Sequence, residues 1–194
     1  MSNTVLFKKY TPMPYSRKEI RRYAGVSGKL PEIDGVIEEC IEEVSDKLTY
    51  KVCYTEFDIT HTDGITDLGF IKTESKDLAK NLDGCRKIVV FAATVGLELD
   101  RLIVKYGCIS PVKSLMFQAI GAERIEALCD AFTEDVLSGK EIKPRYSAGY
   151  GDFPLDVQKS IFAVLDPARR IGLSLNESLL MSPSKSVTAI IGIK

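Results

Sequence analysis

Lys87-Ile88-Val89-Val90-Phe91-Ala92-Ala93-Thr94-Val95-Gly96 is the stretch on which the fold turns. Ile88 to Ala93 is a continuous apolar run of strand length, and such a run predicts a buried central strand. Thr94-Val95-Gly96 then turns into a helix expected over Leu97 to Tyr106, with Gly107 as its stop. Upstream, Thr49 to Thr60 is rich in Tyr, Val, Thr and Phe and reads as a strand. Asp63-Gly64 is a turn signal, and Ile65 to Lys72 reads as the returning strand of a hairpin. Ser75 is placed to cap a short helix running to Leu82 and closed by Gly84.

Helical patterns flank this centre. Ser16 precedes a charged helical segment, Arg17 to Ala24, ended by Gly25. From Pro31 to Leu48 the residues Ile33, Val36, Ile37, Cys40, Ile41, Val44 and Leu48 fall at helical spacing. Glu38, Glu39, Glu42 and Glu43 form its wet face, a solvated stripe rather than a metal site. Ser110-Pro111 opens the longest helix, to about Leu137, with Gly139 just beyond. Pro154 to Leu165 is helical, and strand-like segments at Leu173–Leu175 and Val187–Ile193 finish the chain. Strict strand–helix alternation is absent, so the expected class is α+β, one domain over residues 1–194 with a mixed, largely antiparallel sheet flanked by helices. Within it, 1–48 reads as an N-terminal helical segment and 49–194 as the α+β core.

Composition narrows the function classes. Lys and Arg number 26 against 27 Asp and Glu, so neither a nucleic acid nor an anionic membrane is an expected partner. No apolar run reaches the ~18–20 residues of a membrane span. The opening residues Met1 to Tyr10 lack the apolar core of a signal peptide, and a cytoplasmic location is expected. Cys40, Cys53, Cys85, Cys108 and Cys129 are odd in number and irregularly spaced, without a C-x-x-C pair, and most of them read as small core residues. His61 is the only histidine, which removes His–His metal sites and Ser/His/Asp relays from consideration.

The chemistry-bearing stretch is Arg145-Tyr146-Ser147-Ala148-Gly149-Tyr150, followed by Gly151-Asp152-Phe153-Pro154. A guanidinium is a rigid fork of donors for a carboxylate or phosphate. Gly149 and Gly151 let the backbone take positive φ or approach a ligand closely. Tyr150 offers a flat apolar face with a polar tip. The same residue types also suit a Gly-rich turn with Arg145 in a surface ion pair. Thr94-Val95-Gly96 is a weaker ligand loop, since no Gly-x-Gly-x-x-Gly or phosphate-loop pattern accompanies it. Asp130, Glu134 and Asp135 read as a solvated helix face, whereas Glu126 is a candidate to face a ligand.

Arg-x-x-x-Gly-Tyr, a proline-led helix, and then Leu175-Asn176-Glu177-Ser178-Leu179-Leu180-Met181-Ser182-Pro183-Ser184-Lys185-Ser186-Val187 form a recognisable pair of motifs. Together they resemble the activation domain of cobalamin-dependent methionine synthase, which binds S-adenosylmethionine. The second motif of that family is roughly Leu-Thr-Glu-Ser, three residues ending in Met, then x-Pro-x-x-Ser-Val, and this chain matches at Glu177, Ser178, Met181, Pro183 and Ser186. Ala92 to Gly96 looks like the family's strand-to-helix turn, Ala119 to Asp130 like its long helix, and Arg17 to Gly25 like the opening of free-standing members. The resemblance implies that Arg145 meets the carboxylate of S-adenosylmethionine, that Ser147, Gly149 and Tyr150 line the ligand, and that Glu126 lies near it.

It further implies a reactivation module for a separate cobalamin-dependent methionine synthase, or another corrinoid protein lacking such a domain. A flavodoxin-type electron donor would serve that partner, and cobalamin would be met only through it. The alternative is a docking subunit of a corrinoid methyltransferase system that binds no adenosyl ligand. An ordinary S-adenosylmethionine-dependent methyltransferase ranks last, for want of the Gly-rich loop of that doubly wound fold. Three departures stand out. Gly151-Asp152-Phe153-Pro154 replaces the family's Pro-Ala-Cys-Pro. An aspartate near the start of the family domain has no counterpart, and the family domain continues past the position of Lys194 into a segment with a further ligand-contacting tyrosine. Asp58-Ile59-Thr60-His61-Thr62-Asp63-Gly64 approaches the Asp-x-His-x-x-Gly loop of corrinoid-binding domains. Its Asp–His gap is one residue too long, so it reads as a hairpin turn with an exposed histidine.

Overall fold

β6 (Lys87–Thr94) lies inside a four-stranded sheet of order β1-β2-β6-β9, between β2 (Tyr50–Asp58) and β9 (Ser186–Ile193). The computed structural model describes residues 4–194; Met1 to Asn3, the start of the stretch read for a leader, lie outside the described residues. Alternate β6 side chains enter two different cores. Val89, Phe91 and Ala93 pack with α1 (Arg17–Tyr23), α2 (Pro31–Val44), α4 (Glu98–Ile109) and α5 (Pro111–Leu137). Ile88, Val90 and Ala92 pack on the other side with Leu78 of α3 (Lys76–Asn81), Ile161 of α6 (Val157–Leu165) and Ile171 of α7 (Pro167–Ile171). Because side chains alternate across a strand and both faces are covered, no polar alternation survives in the sequence.

All three pairings of this sheet are antiparallel, so the mixed component of the expectation is corrected to a purely antiparallel main sheet. The edge strand β1 (Leu6–Tyr10) pairs with β2 from inside the stretch read as an N-terminal helical segment. Leu6-Phe7-Lys8-Lys9-Tyr10 carries no clean alternation, because an edge strand is largely exposed on both faces. Ile20, Ile37, Cys40, Ile41 and Val44 belong to the same core as Val89 and Phe91.

Local signals fared well where a cap or turn is chemically specific. Ser16 and Ser75 accept from the amides of Glu19 and Leu78, capping α1 and α3. Asp63 and Gly64 both take positive φ between β3 (Thr60–Thr62) and β4 (Ile65–Asp67), and His61 on β3 is exposed. The expected return strand, however, is broken into β4 and β5 (Lys72–Thr73), with Gly69 at φ 81° between them. α4 passes through Gly107, which keeps helical φ, and stops only where Ser110 caps the start of α5 and Pro111 begins it. A short hairpin of β7 (Ser174–Leu175) and β8 (Met181–Ser182) precedes β9. Among the described residues no helix is long and apolar enough to cross a membrane.

One buried charge pair joins α5 to the N-terminal segment. Arg124 and Glu123 are both buried, and the guanidinium donates to both carboxylate oxygens. It also donates to the carbonyls of Met13 (2.5 Å) and Pro14 (2.7 Å) and lies 4.0 Å over the ring of Tyr15. Glu123 in turn accepts from the amide of Ser16 at 3.0 Å. Removing one partner of such a pair leaves an uncompensated charge, at a cost of about 3–5 kcal/mol. Arg124→Met should therefore lower the unfolding free energy obtained from denaturant titration by that order, and a second change, Glu123→Leu, should recover most of the loss. Additive losses in the double variant would show that the pair is not coupled.

Candidate functional site

After α5 the chain doubles back along β9, and this return positions Arg145. Lys143 donates to Gly192 O at 2.9 Å, and Tyr146 exchanges hydrogen bonds with Ile190 at 2.9 and 2.8 Å. Arg145, between them, reaches across to α5. Its Nη2 is 2.8 Å from Glu126 Oε2 and its Nη1 is 2.7 Å from Asp130 Oδ1. Those carboxylates are four residues apart, hence on one helix face. Burial alone would lower the Arg145 pKa, but the hydrogen bond to Asp130 and the charges of Asp130 and Glu126 outweigh it and raise the value.

The Gly-rich turn is built by its own backbone. Gly149, at φ 92°, donates to Phe153 O at 2.8 Å, and Phe153 donates to Tyr150 O at 3.0 Å. A Cβ at Gly149 would stand 3.0 Å from Leu155 Cδ1, and the positive φ would strain any other residue. Gly151 is at φ 53°, with Asp77 and the Tyr146 hydroxyl where a Cβ would go. Asp152 explains the departure from Pro-Ala-Cys-Pro. Its carboxylate accepts from the Ser75 hydroxyl and from the amides of Lys76 (2.8 Å) and Asp77 (3.2 Å), while its own amide donates to Asp77 at 3.3 Å. The turn is thereby clipped to the start of α3, and Phe153 is buried in the core beneath it.

A cavity of about 450 Å³ opens beside this turn, walled by Glu126, Arg145, Ser147, Tyr150 and Asn81, with Val187 and Ala189 of β9 at its base. Four of the five residues expected at a site thus meet around one space. Gly149 is not among its walls; its part is the turn. Asn81 was not visible beforehand, since an asparagine on a short helix carries no sequence signal. Its Nδ2 donates to Pro144 O at 3.3 Å, and its buried Oδ1 has no partner among the described residues. Asp130 is on a solvated face, as read, and from there it also pairs with Arg145; its i,i+4 spacing from Glu126 was the available signal for the pairing. Asp135 is likewise engaged, accepting from Lys8 (2.5 Å) and Tyr10 (2.8 Å).

The second motif has a different place. Glu177 and Ser178 are exposed in the β7–β8 loop. Ser186 shares a hydrogen bond with Thr94 and donates to Pro183 O, both at 2.8 Å. The stem of Lys185 lies so close over Gly121 of α5 that a Cβ there would be 2.7 Å from it. These contacts seat the start of β9, and Val187 carries the motif to the cavity base. Thr94-Val95-Gly96 is pinned structurally, with Val95 bonded to Thr49 and Lys185 through the backbone. Four cysteines are buried and Cys108 is exposed; burial pushes the Cys129 thiol up to about 12.

No family model matches the chain, and no curated protein matches its sequence. Among solved structures it is similar to one described as "Crystal Structure of the MetH Reactivation Domain bound to AdoHcy". The TM-score is 0.68 and the identity 16%, over 98% of this chain and 78% of that one. The likeness is one of fold: a single α+β domain with an antiparallel sheet flanked by helices.

The Asp152 clip makes a pH-dependent contribution. The hydrogen bond from Ser75, together with those from the Lys76 and Asp77 amides, lowers its pKa. A depressed folded-state pKa stabilises fully above the unfolded value, about 3.9, and the stabilisation fades as pH falls through the folded value. Asp152→Ala should lower the melting temperature at pH 7, and the gap from the parent protein should shrink as the pH falls below the unfolded value of about 3.9 and through the lowered folded one. A gap unchanged between the two pH values would mean the carboxylate charge is not what holds the turn.

Proposed function

We propose that this chain binds S-adenosylmethionine in the cavity beside Arg145 and serves as a reactivation module for a separate corrinoid methyltransferase. The observation that carries the reading is the meeting of Arg145, Ser147, Tyr150 and Glu126 around one space of about 450 Å³. That volume falls within the range of small-ligand sites, roughly 300–1,000 Å³. The likeness to a MetH reactivation domain bound to AdoHcy supports it at the level of fold.

The residues fit the ligand chemically. A guanidinium suits the carboxylate, and Glu126 suits the ammonium of an amino-acid end. The exposed Tyr150 ring offers a face to an adenine or to a sulfonium centre. The orphaned Asn81 Oδ1 calls for a donor, such as an exocyclic amine. When bound, S-adenosylmethionine would supply a methyl group for the cobalt of the partner's cobalamin, with an electron from a flavodoxin-type donor. The part of this chain is to hold the amino-acid end, orient the sulfonium and shield it from water. The intended partner is a cobalamin-dependent methionine synthase, or another corrinoid protein, without such a domain.

A docking subunit without an adenosyl ligand is the second reading, and the double engagement of Arg145 by Glu126 and Asp130 favours it. Calorimetry separates the two. Titration with S-adenosylmethionine should give saturable heat, and Arg145→Ala should weaken binding by about tenfold or more, as loss of a charge-assisted hydrogen bond requires. No heat at millimolar ligand, together with capture of a corrinoid protein indifferent to Arg145→Ala, would transfer the case to the docking reading. The functional assay is conversion of cob(II)alamin to methylcobalamin on a candidate partner, with and without this chain.

A further inference from the structure

S-Adenosylmethionine and S-adenosylhomocysteine share an adenosine and a zwitterionic amino-acid end, and differ by one methyl group and one positive charge at sulfur. The cavity beside Arg145 bears on that difference through its own charge. Glu126 and Arg145 are the charged residues among its walls, and Asp130 takes a second N–H of Arg145 from outside it, at 2.7 Å. These three groups carry one net negative charge, which a zwitterionic amino-acid end leaves unaltered. Tyr146, also on the wall, feels further carboxylates: burial and the negative charges of Asp77 and Asp152 raise its pKa. Lys143, two residues before Arg145, borders a separate cavity of about 360 Å³. The aromatic walls act in the same direction. Tyr146 and Tyr150 both line the cavity, with ring centroids 6.5 Å apart and planes at 61°. Tyr150 is 67% exposed, so the core does not take up its ring face. That face is the negative end of the ring quadrupole and attracts cations.

We propose that the cavity is selective for a sulfonium, holding S-adenosylmethionine in preference to S-adenosylhomocysteine through its excess negative charge and the ring face of Tyr150. This rests on the reading that the cavity takes an adenosyl amino acid. Tyr150 is the residue that determines the specificity, and the carboxylates supply a pull of longer range. A cation–π contact at an exposed site, with a partly screened charge term added, corresponds to about a three- to tenfold difference in Kd. Loss of the methyl removes the charge on which both effects act. The demethylated ligand is therefore released more readily, and the cavity refills with the methyl-bearing form.

Calorimetric titration of the whole chain with each ligand is the test. At about 20 mM salt S-adenosylmethionine should bind about three- to tenfold more tightly than S-adenosylhomocysteine. Sinefungin, which carries an ammonium in place of the sulfonium, should follow S-adenosylmethionine. The Glu126 and Asp130 side chains are 44% and 73% exposed, so their pull is screened and the preference should narrow at about 0.5 M salt. Tyr150→Leu, at an exposed position that should leave the melting temperature unchanged, should cut the preference by about two- to fivefold, weakening S-adenosylmethionine more than S-adenosylhomocysteine. Equal or tighter binding of S-adenosylhomocysteine by the parent chain would overturn the inference, as would sinefungin binding only as S-adenosylhomocysteine does. Equal loss of both ligands in Tyr150→Leu would also overturn it, since the ring would then be stacking on the shared adenine. The two levels separate cleanly: binding of neither adenosyl compound removes the proposed function and the selectivity with it, whereas equal binding of both removes the selectivity alone.

Discussion

A guanidinium sealed away from water must find acceptors inside the protein, and the way Arg124 does so organises much of this fold. It takes its neighbour Glu123 and the carbonyls of Met13 and Pro14, so α5 cannot sit correctly unless the N-terminal segment crosses it there. That crossing places β1 against β2 and α1 against α5. The same helix buries Phe132 between Phe91 of the central strand and Tyr54 of its neighbour, at ring distances of 4.8 and 5.1 Å. With α5 held from both ends of this contact, Glu126 and Asp130 are presented at a defined height to Arg145. Buried ion pairs seldom add net stability over apolar replacements. Here the pair instead specifies which segment lies on the helix.

The cavity is then a meeting of three independently supported parts. α5 supplies the carboxylates, the return strand along β9 supplies Arg145, and the Gly-rich turn supplies Ser147 and Tyr150. Asp152 binds that turn to α3, the helix that also carries Asn81. Rigid support of this kind is what a binding site needs if its polar groups are to be placed before the ligand arrives. Lys185 over Gly121 and Ser186 on Thr94 complete the frame by seating β9 against α5 and β6.

Signals that depend on a few adjacent residues were legible. The apolar run of β6, the Ser110-Pro111 start of α5, the serine caps at Ser16 and Ser75 and the Asp63-Gly64 turn each rest on local stereochemistry. Gly107 misled because a glycine within a helix costs only about 1 kcal/mol, which packing of α4 against α5 overrides. β1 left no trace because its strand state is conferred by hydrogen bonds to β2, forty or more residues away along the chain, and not by its own pattern. The Gly-rich turn was visible as an accumulation of Arg, Gly and Tyr. Of its carboxylate partners, Glu126 was singled out, and Asp130 was rightly placed on the solvated face while its pairing with Arg145 was not legible.

By itself, then, the sequence determined most of the element types, β1 excepted, the α+β class and the location of the Arg-Gly-Tyr turn, since propensity, capping and φ restrictions act within a few residues. Tertiary structure alone decided that the sheet is wholly antiparallel, that residues 6–10 close one edge of it, and that Asn81 and Asp130 stand next to the turn. Those outcomes depend on which surfaces are buried together. Burial is a property of contacts between residues distant in the chain, and no local pattern encodes it.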